Sequence, residues 1–380
     1  MNPFTLKRLQ AVTLGSFMML ASAGCGNEAT PDEQPVVEDP QVEETWDAEQ
    51  YATVASTLQG AFLFTKETFN GNGRTCATCH TLSSGGLSPA QVQAAWNRNR
   101  NDPLFRAIDS DDGSGSSYNH LRTNATVTVD INLPANIRLA ANPSARTVKL
   151  RRAVPTVFDA ARFDTQIMFD TREPSLQSQA LHAIQGHAQA RRTPSTSELN
   201  SIVDFERVLF SSLAMANYAI TGRAPAVPTG KTASEKRGAA FFAATGLCGS
   251  CHFGALYNVN TANNPLGLPA GTQFGTSIVS ETNFAGAPTQ EYIVTNADGT
   301  ETRVTSPDPG LMLVTGNAQH ANLFKMTSLR NLAKTAPAFH DNSAKDMAGI
   351  LRQYRAVLTA FGIPFTEQDI TDMGNFMKLL

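Results

Sequence analysis

Basic runs, long apolar stretches and cysteines are all in short supply in this sequence. Lys and Arg number 30 against 33 Asp and Glu, a net charge of -3 with no basic cluster. That leaves nothing to attract nucleic acid and argues against it as a partner. The apolar run "LQAVTLGSFMMLASAG", which follows Lys7 and Arg8, is too short for a comfortable membrane span and has the form of an export signal. Cysteine is limited to five residues, four of them in the strings "CATCH" (Cys76 to His80) and "CGSCH" (Cys248 to His252). Otherwise the chain has the composition of an ordinary globular protein, with 41% hydrophobic and 17% charged residues.

Residues 1–24 therefore read as a signal peptide. "ASA" at Ala21 to Ala23 suits a signal peptidase, and "SAGC" resembles a bacterial lipoprotein signal ending at Cys25, although Ser22 stands where Leu is usual. Cys25 is left over by the two motifs, and residues 25–48 form an acidic, Pro-rich tether. Both features favour a lipid anchor at Cys25 and a periplasmic, membrane-anchored location.

Beyond the tether the chain divides at a Pro/Gly linker near residue 225, giving units 49–225 and 226–380. "QYATVASTLQGAFLF" places Tyr51, Val54, Ala55, Leu58, Ala61 and Phe62 on one helical face ahead of the first motif. "SEKRGAAFFAATGLCGSCH" repeats that logic in the second unit. A capping box, Ser195 with Glu198, opens another helix. "DSDDGSGSS" is a loop, "NATVTVDINL" alternates as a strand, and Asp298-Gly299 turns a hairpin. The last helix, from Thr366, turns Ile370, Met373, Phe376, Met377 and Leu380 to one side. The expected fold is mainly α: two units with loop-rich insertions and short β hairpins.

A Cys-x-x-Cys-His string can hold zinc, serve as a redox dithiol, or attach haem. Structural zinc needs four protein ligands and each motif offers at most three. A thioredoxin-like dithiol needs a βαβ context that is absent, and has no use for the His. Thioether attachment of haem to both cysteines, with the adjacent imidazole on the iron, uses every residue of the motif. Two covalently bound c-type haems are expected, on Cys76, Cys79 and Cys248, Cys251, with His80 and His252 as proximal ligands.

Three further strings extend the argument: "GAFLFTKETFNGNGRTCATCH", "RRAVPTVFDAARFDTQIMFDTREPSLQSQA" and "FKMTSLRNLAKTAPAFHDNS". Together they resemble, in order and over about residues 50 to 380, the bacterial di-haem cytochrome c peroxidase family, which includes the MauG-type enzymes. The resemblance implies two cytochrome c-like haem domains, with an N-terminal haem that meets hydrogen peroxide. It also implies a C-terminal haem fed by a small redox protein, a cytochrome c or a cupredoxin. Gln179 matches the family's active-site glutamine. Gln189 stands where the peroxidases carry an acid-base glutamate, and an amide cannot move a proton as a carboxylate does. His187, two residues away, can titrate near neutrality and is the candidate replacement.

Phe169 corresponds to the tryptophan often found between the haems. Tyr354 falls on the sixth-ligand position of the C-terminal haem, where MauG-type proteins carry tyrosine and peroxidases methionine; Met347 is the nearest methionine. Residues 81 to 119 hold no His, so His120 is the first candidate for a displaceable distal ligand. The resemblance also implies a calcium ion between the domains, with Thr335 and Pro337 at two carbonyl positions and Ala153 in place of a side-chain amide. Arg330 and Arg172 are candidates for haem propionates or domain packing, and a homodimer is admitted.

The leading expectation is an exported di-haem oxidoreductase that reduces hydrogen peroxide. The alternatives are MauG-like oxidation of a protein or organic substrate, and a non-enzymatic electron-transfer protein, which Gln189 favours.

Overall fold

The structure, a computed structural model, describes residues 48–259, 269, 271–273 and 288–380. The expected signal peptide (1–24), Cys25 and all but the last residue of the expected tether (25–48) lie outside the described residues, as does part of the loop-rich stretch after the second motif.

The first unit runs α1 (Ala48–Thr65), α2 (Cys76–Cys79), α3 (Pro89–Arg98), α4 (Asn119–Asn124), β1 (Thr126–Asn132), β2 (Ile137–Leu139), β3 (Thr147–Ala153), α5 (Ala160–Phe163), α6 (Leu176–Gly186), α7 (Thr196–Glu206) and α8 (Leu213–Thr221). The second runs α9 (Ala233–Phe241), β4 (Gln290–Thr295), β5 (Glu301–Ser306), α10 (Met312–Thr315), α11 (Leu332–Thr335), α12 (Met347–Ala360) and α13 (Glu367–Met377). The molecule is mainly helical with a few short antiparallel strands. Capping boxes start α3 (Ser88/Gln91), α7 (Ser195/Glu198), α9 (Thr232/Glu235) and α13 (Thr366/Asp369). Each cap is worth about 1 kcal/mol.

Two helix pairs carry the frame, and they match residue for residue. On α1, a Cβ at Gly60 would fall 1.8 Å from the Ser201 carbonyl oxygen and 2.8 Å from Phe205 Cβ of α7. On α9, a Cβ at Gly238 would fall 2.2 Å from the Asp372 carbonyl oxygen and 2.7 Å from Phe376 Cβ of α13. Only glycine permits so close a backbone approach. Four residues after each glycine, Phe64 and Phe242 meet those same aromatics, with ring centroids 5.3 Å and 5.2 Å apart.

The close approach at Gly60 also corrects the expected face of α1. Thr57, Gly60, Leu63 and Phe64 are buried, whereas Leu58 and Phe62 are 56% and 53% exposed. Periodicity alone weighted the larger apolar side chains, while the helix turns its smallest residue toward α7. In α13 the expected face holds, with Ile370, Met373, Phe376 and Met377 buried.

β1 alternates as expected, burying Val127, Val129 and Ile131. Its antiparallel partner is β3, with Val129 opposite Leu150. The intervening β2 leaves that ribbon and pairs instead with β4, which pairs with β5 in the expected hairpin. Gly299 occupies the turn at φ 82°. The three-stranded sheet thus takes strands from both sides of residue 225. Ile137, Leu139, Tyr292, Val294 and Met312 close over it with Val129 and Ile131.

A buried ion cluster reinforces this junction. Arg152 of β3 donates to Asp308 at 2.6 and 2.8 Å and to Asp170 at 2.5 Å, and Arg172 donates to Asp170 at 2.9 Å. Burial disfavours isolated charges, but here each carboxylate is paired, and breaking such a pair typically costs 3–5 kcal/mol. Among the described residues no helix is long and apolar enough to cross a membrane.

Candidate functional site

The first Cys-x-x-Cys-His is a single helical turn. Thr75 caps α2 reciprocally with Thr78, and the His80 amide closes the turn on the Cys76 carbonyl at 2.9 Å. Both thiols are unpaired. Burial pushes Cys76 up to about 12 and Cys79 up to about 11, so both are protonated thiols near neutral pH. The His80 ring is fixed through Nδ1, 3.1 Å from the Gly85 carbonyl oxygen. A carbonyl only accepts, so Nδ1 carries the proton and Nε2 keeps its lone pair. Burial lowers the His80 pKa and keeps the ring neutral. Among the described residues no side chain bonds Nε2.

The second motif makes the same turn. The His252 amide meets the Cys248 carbonyl at 2.7 Å, and Nδ1 lies 3.0 Å from the Tyr257 carbonyl oxygen. In both motifs the anchoring carbonyl is five residues after the histidine. Burial raises the Cys248 thiol to about 12 and lowers the His252 pKa. Here Nε2 does face a side chain: Tyr354 Oη, from α12, stands 3.4 Å away. Burial, then Cys248 and Cys251, push the Tyr354 phenol above its ordinary value and hold it neutral.

Two unpaired thiols a helical turn apart, with a neutral imidazole aimed by its Nδ1 proton, fit thioether attachment and axial ligation of a haem. An orphaned donor adds to the fit in the second unit. Arg330 donates through Nε to the Ala255 carbonyl at 2.7 Å and lies over the Tyr257 ring, but its Nη2 is buried without a partner. A carboxylate of a bound group would satisfy it. Arg172, by contrast, is engaged with Asp170 in the ion cluster.

No family profile and no curated protein sequence matches the chain. Solved structures do align with it. A MauG-like protein associated with microbial copper homeostasis is 17% identical, with 93% of this chain and 94% of that one covered and a TM-score of 0.47. Hydrazine synthase from Kuenenia stuttgartiensis is 14% identical, with 94% and 100% covered and a TM-score of 0.41. Overlaps this loose assign no chemistry.

Around the first motif the remaining candidates separate. Gln179, on α6, is half-buried with its amide unbonded among the described residues. His187 caps the C-terminus of the same helix, also half-buried, and charge on it disfavours charge on His80. Burial lowers the His187 pKa, with Arg74 and Arg172 adding to the effect against Asp109. Gln189 is exposed, in a left-handed backbone conformation, and its Oε1 accepts from Asn72 at 3.0 Å. The structure therefore brings His187 toward the motif and leaves Gln189 on the surface beside it.

His120 lies on α4. It is 4% exposed and its Nδ1 is bonded to Asp111. Phe169 is buried with Ala153 and Phe324 at the junction of the units. Met347 packs into the core under α12 and α13, so Tyr354 is the α12 residue that faces His252. Near the calcium positions, the Thr335 hydroxyl donates to the Asn331 carbonyl at 3.4 Å and Ala153 donates its amide to the His340 carbonyl at 2.7 Å. Among the described residues no group of three or more His, Cys, Asp or Glu could hold a metal ion.

Two features escaped the sequence reading. Arg74, just ahead of the first motif, is buried against Asp109 at 2.6 Å and donates to the carbonyls of Pro103 and Leu104 at 2.9 and 2.7 Å. Glu206, at the end of α7, is a buried carboxyl whose charge acts on Cys76. Its signal was present: Leu199, Ile202, Val203 and Glu206 share one helical period, which places the acid on the buried face.

Proposed function

We propose that the chain is an exported di-haem oxidoreductase that reduces hydrogen peroxide to water, taking two electrons from a small redox protein and two protons from solvent. The observation that carries this reading is the repeated turn: two unpaired thiols and an imidazole whose Nδ1 donates to a carbonyl five residues on, made twice in one chain. Bound haem supplies the redox chemistry. Cys76 and Cys79 would hold the first haem with His80 beneath it, and Cys248 and Cys251 the second with His252.

The chain's own residues divide the remaining work. His187 is neutral near pH 7 because burial lowers its pKa, so it can accept a proton near His80 and return it. The free amide of Gln179 can orient a small polar substrate by hydrogen bonding. Gln189 cannot transfer a proton and is turned to solvent. Arg330 would hold an anionic edge of the second haem through its unpartnered Nη2. Lipid anchoring at Cys25 and a periplasmic location remain part of the proposal, resting on the N-terminal sequence.

A second reading is favoured by one contact. Tyr354 Oη opposite His252 Nε2 matches the MauG-like ligand set, which would direct the pair toward oxidation of a protein or organic substrate. Phenolate ligation favours the ferric state, whereas methionine raises the potential.

One assay separates the readings. Holoprotein mixed with hydrogen peroxide and a reduced small cytochrome should consume both. Absence of turnover, even after half-reduction, would overturn the peroxidase reading. Tyr354→Phe should change the ferric spectrum; an unchanged spectrum removes the MauG-like ligand set.

A further inference from the structure

Glu206 is used by none of the chemistry above, yet it is buried beside the first motif. It is 7% exposed and its Oε2 has no hydrogen-bond partner. Phe205, the residue before it, belongs to an apolar cluster with Leu63 and Phe64 from α1 and Ala180 and Ile184 from α6, against which Cys76 from α2 packs. Burial alone pushes its carboxyl up to about 7. Cys76 is the titratable group on a neighbouring element that feels its charge. On α7 itself, Asp204 is engaged with Ser56 at 2.7 Å and Arg207 at 4.0 Å.

The matched helix pair supplies a control inside the same molecule. Ser195 caps α7 as Thr366 caps α13, and Phe205 corresponds to Phe376. Glu206 therefore corresponds to Met377, which is 3% exposed and apolar. The frame does not require a carboxyl at this position, and burying an unpaired one disfavours folding. The acid is present only at the first motif.

We infer that Glu206 is a proton-binding site coupled to the electron on the first centre. This rests on the reading of Cys76 as a haem attachment point. When that centre gains one electron from a reductant, its added negative charge raises the affinity of the nearby carboxylate for protons. Glu206 then takes one proton from water and forms an O–H bond; loss of the electron returns the proton. In an apolar surrounding the interaction is poorly screened, so the two events are linked.

The test is an anaerobic redox titration of the holoprotein with dithionite and mediators, followed by EPR at several pH values. The first haem's midpoint should fall as pH rises through about 7. One proton per electron is a tenfold change in the equilibrium per pH unit, or about 59 mV. Glu206→Gln should flatten that dependence and leave the second haem's midpoint unchanged. Infrared difference spectra should show a protonated-carboxyl C=O band appearing on reduction and absent from the variant. Should the variant not fold, the same band in wild type labelled with 13C-glutamate must shift. Haem on Cys76 with a pH-independent midpoint, an unaltered slope in Glu206→Gln, or no labelled band overturns the proton link alone. Absence of covalent haem from Cys76 overturns it together with the proposed function.

Discussion

At the first helix pair Gly60 seats against Ser201 and Phe205; at the second Gly238 seats against Asp372 and Phe376. Each pair delivers a Cys-x-x-Cys-His turn whose imidazole is aimed by a carbonyl five residues on. What differs is what stands around the two imidazoles. His252 Nε2 meets a tyrosine, in a setting where Arg330 Nη2 is buried without a partner. His80 Nε2 meets no side chain among the described residues; charge on His187 acts on His80, and the buried Glu206 acts on Cys76 of the same turn. A shared frame with different surroundings separates what holds a centre from what gives it a task. The glycine, aromatic and carbonyl positions are shared; on the proposed function, the positions that differ between the units would carry the chemistry.

Breaking the attachment points one unit at a time should have the largest effect. Cys76→Ala with Cys79→Ala should remove the covalent haem of the first unit, and Cys248→Ala with Cys251→Ala that of the second. Each double variant should halve the pyridine haemochrome yield and leave one covalent haem on a denaturing gel. An undiminished yield in either would show that the two turns are not equivalent holders.

The frame comes next. Gly60→Leu and Gly238→Leu each force a side chain into a neighbouring backbone carbonyl, and each should cost about 3 kcal/mol or more, read from denaturant unfolding. Similar losses support a common frame, whereas tolerance at one glycine would break the match.

Glu206 distinguishes the units through pH. Burial raises its carboxyl from the ordinary glutamate range to about 7. An acid with a raised pKa contributes stability that is complete below the unfolded pKa and is lost as pH rises through the folded one. Between about pH 4.5 and about 7 that loss should reach about 3 kcal/mol as an upper figure. The buried histidines slope the other way over part of this window, so the informative quantity is wild type minus Glu206→Gln. That difference should fall with rising pH. Met377→Leu, the matched position, should leave the pH profile unchanged.

Tyr354→Phe should have the smallest effect on stability, about 1 kcal/mol or less, because one hydroxyl contact is lost while the ring stays packed. Its spectral effect should be confined to the second centre.

The parts of this molecule that sequence made plain are those where a short local pattern determines the outcome. The Ser195/Glu198 cap, the Asp298-Gly299 turn and the alternation of β1 depend on neighbours within a few residues. The buried face of α1 did not show, because Gly60 is selected by the backbone of a helix 141 positions away. The pairing of β2 with β4 was hidden for a similar reason: three residues carry too little pattern to declare a distant partner. At the site, the resemblance named Tyr354, and the structure sets its hydroxyl opposite His252. Gln189 and His187 are neighbours in sequence, but the end of α6 turns one outward and the other inward. Glu206 was legible in the periodicity of α7 and was hidden by the habit of assigning acids to the surface.

On the proposed di-haem reading one centre is open and Tyr354 closes the other. Cyanide titration of the ferric holoprotein tests it most directly, because cyanide binds haem iron wherever the sixth position is accessible. The wild type should bind one equivalent per chain, at the first centre, and Tyr354→Phe a second. Two equivalents bound by the wild type, or a second centre that stays closed in Tyr354→Phe, would contradict it.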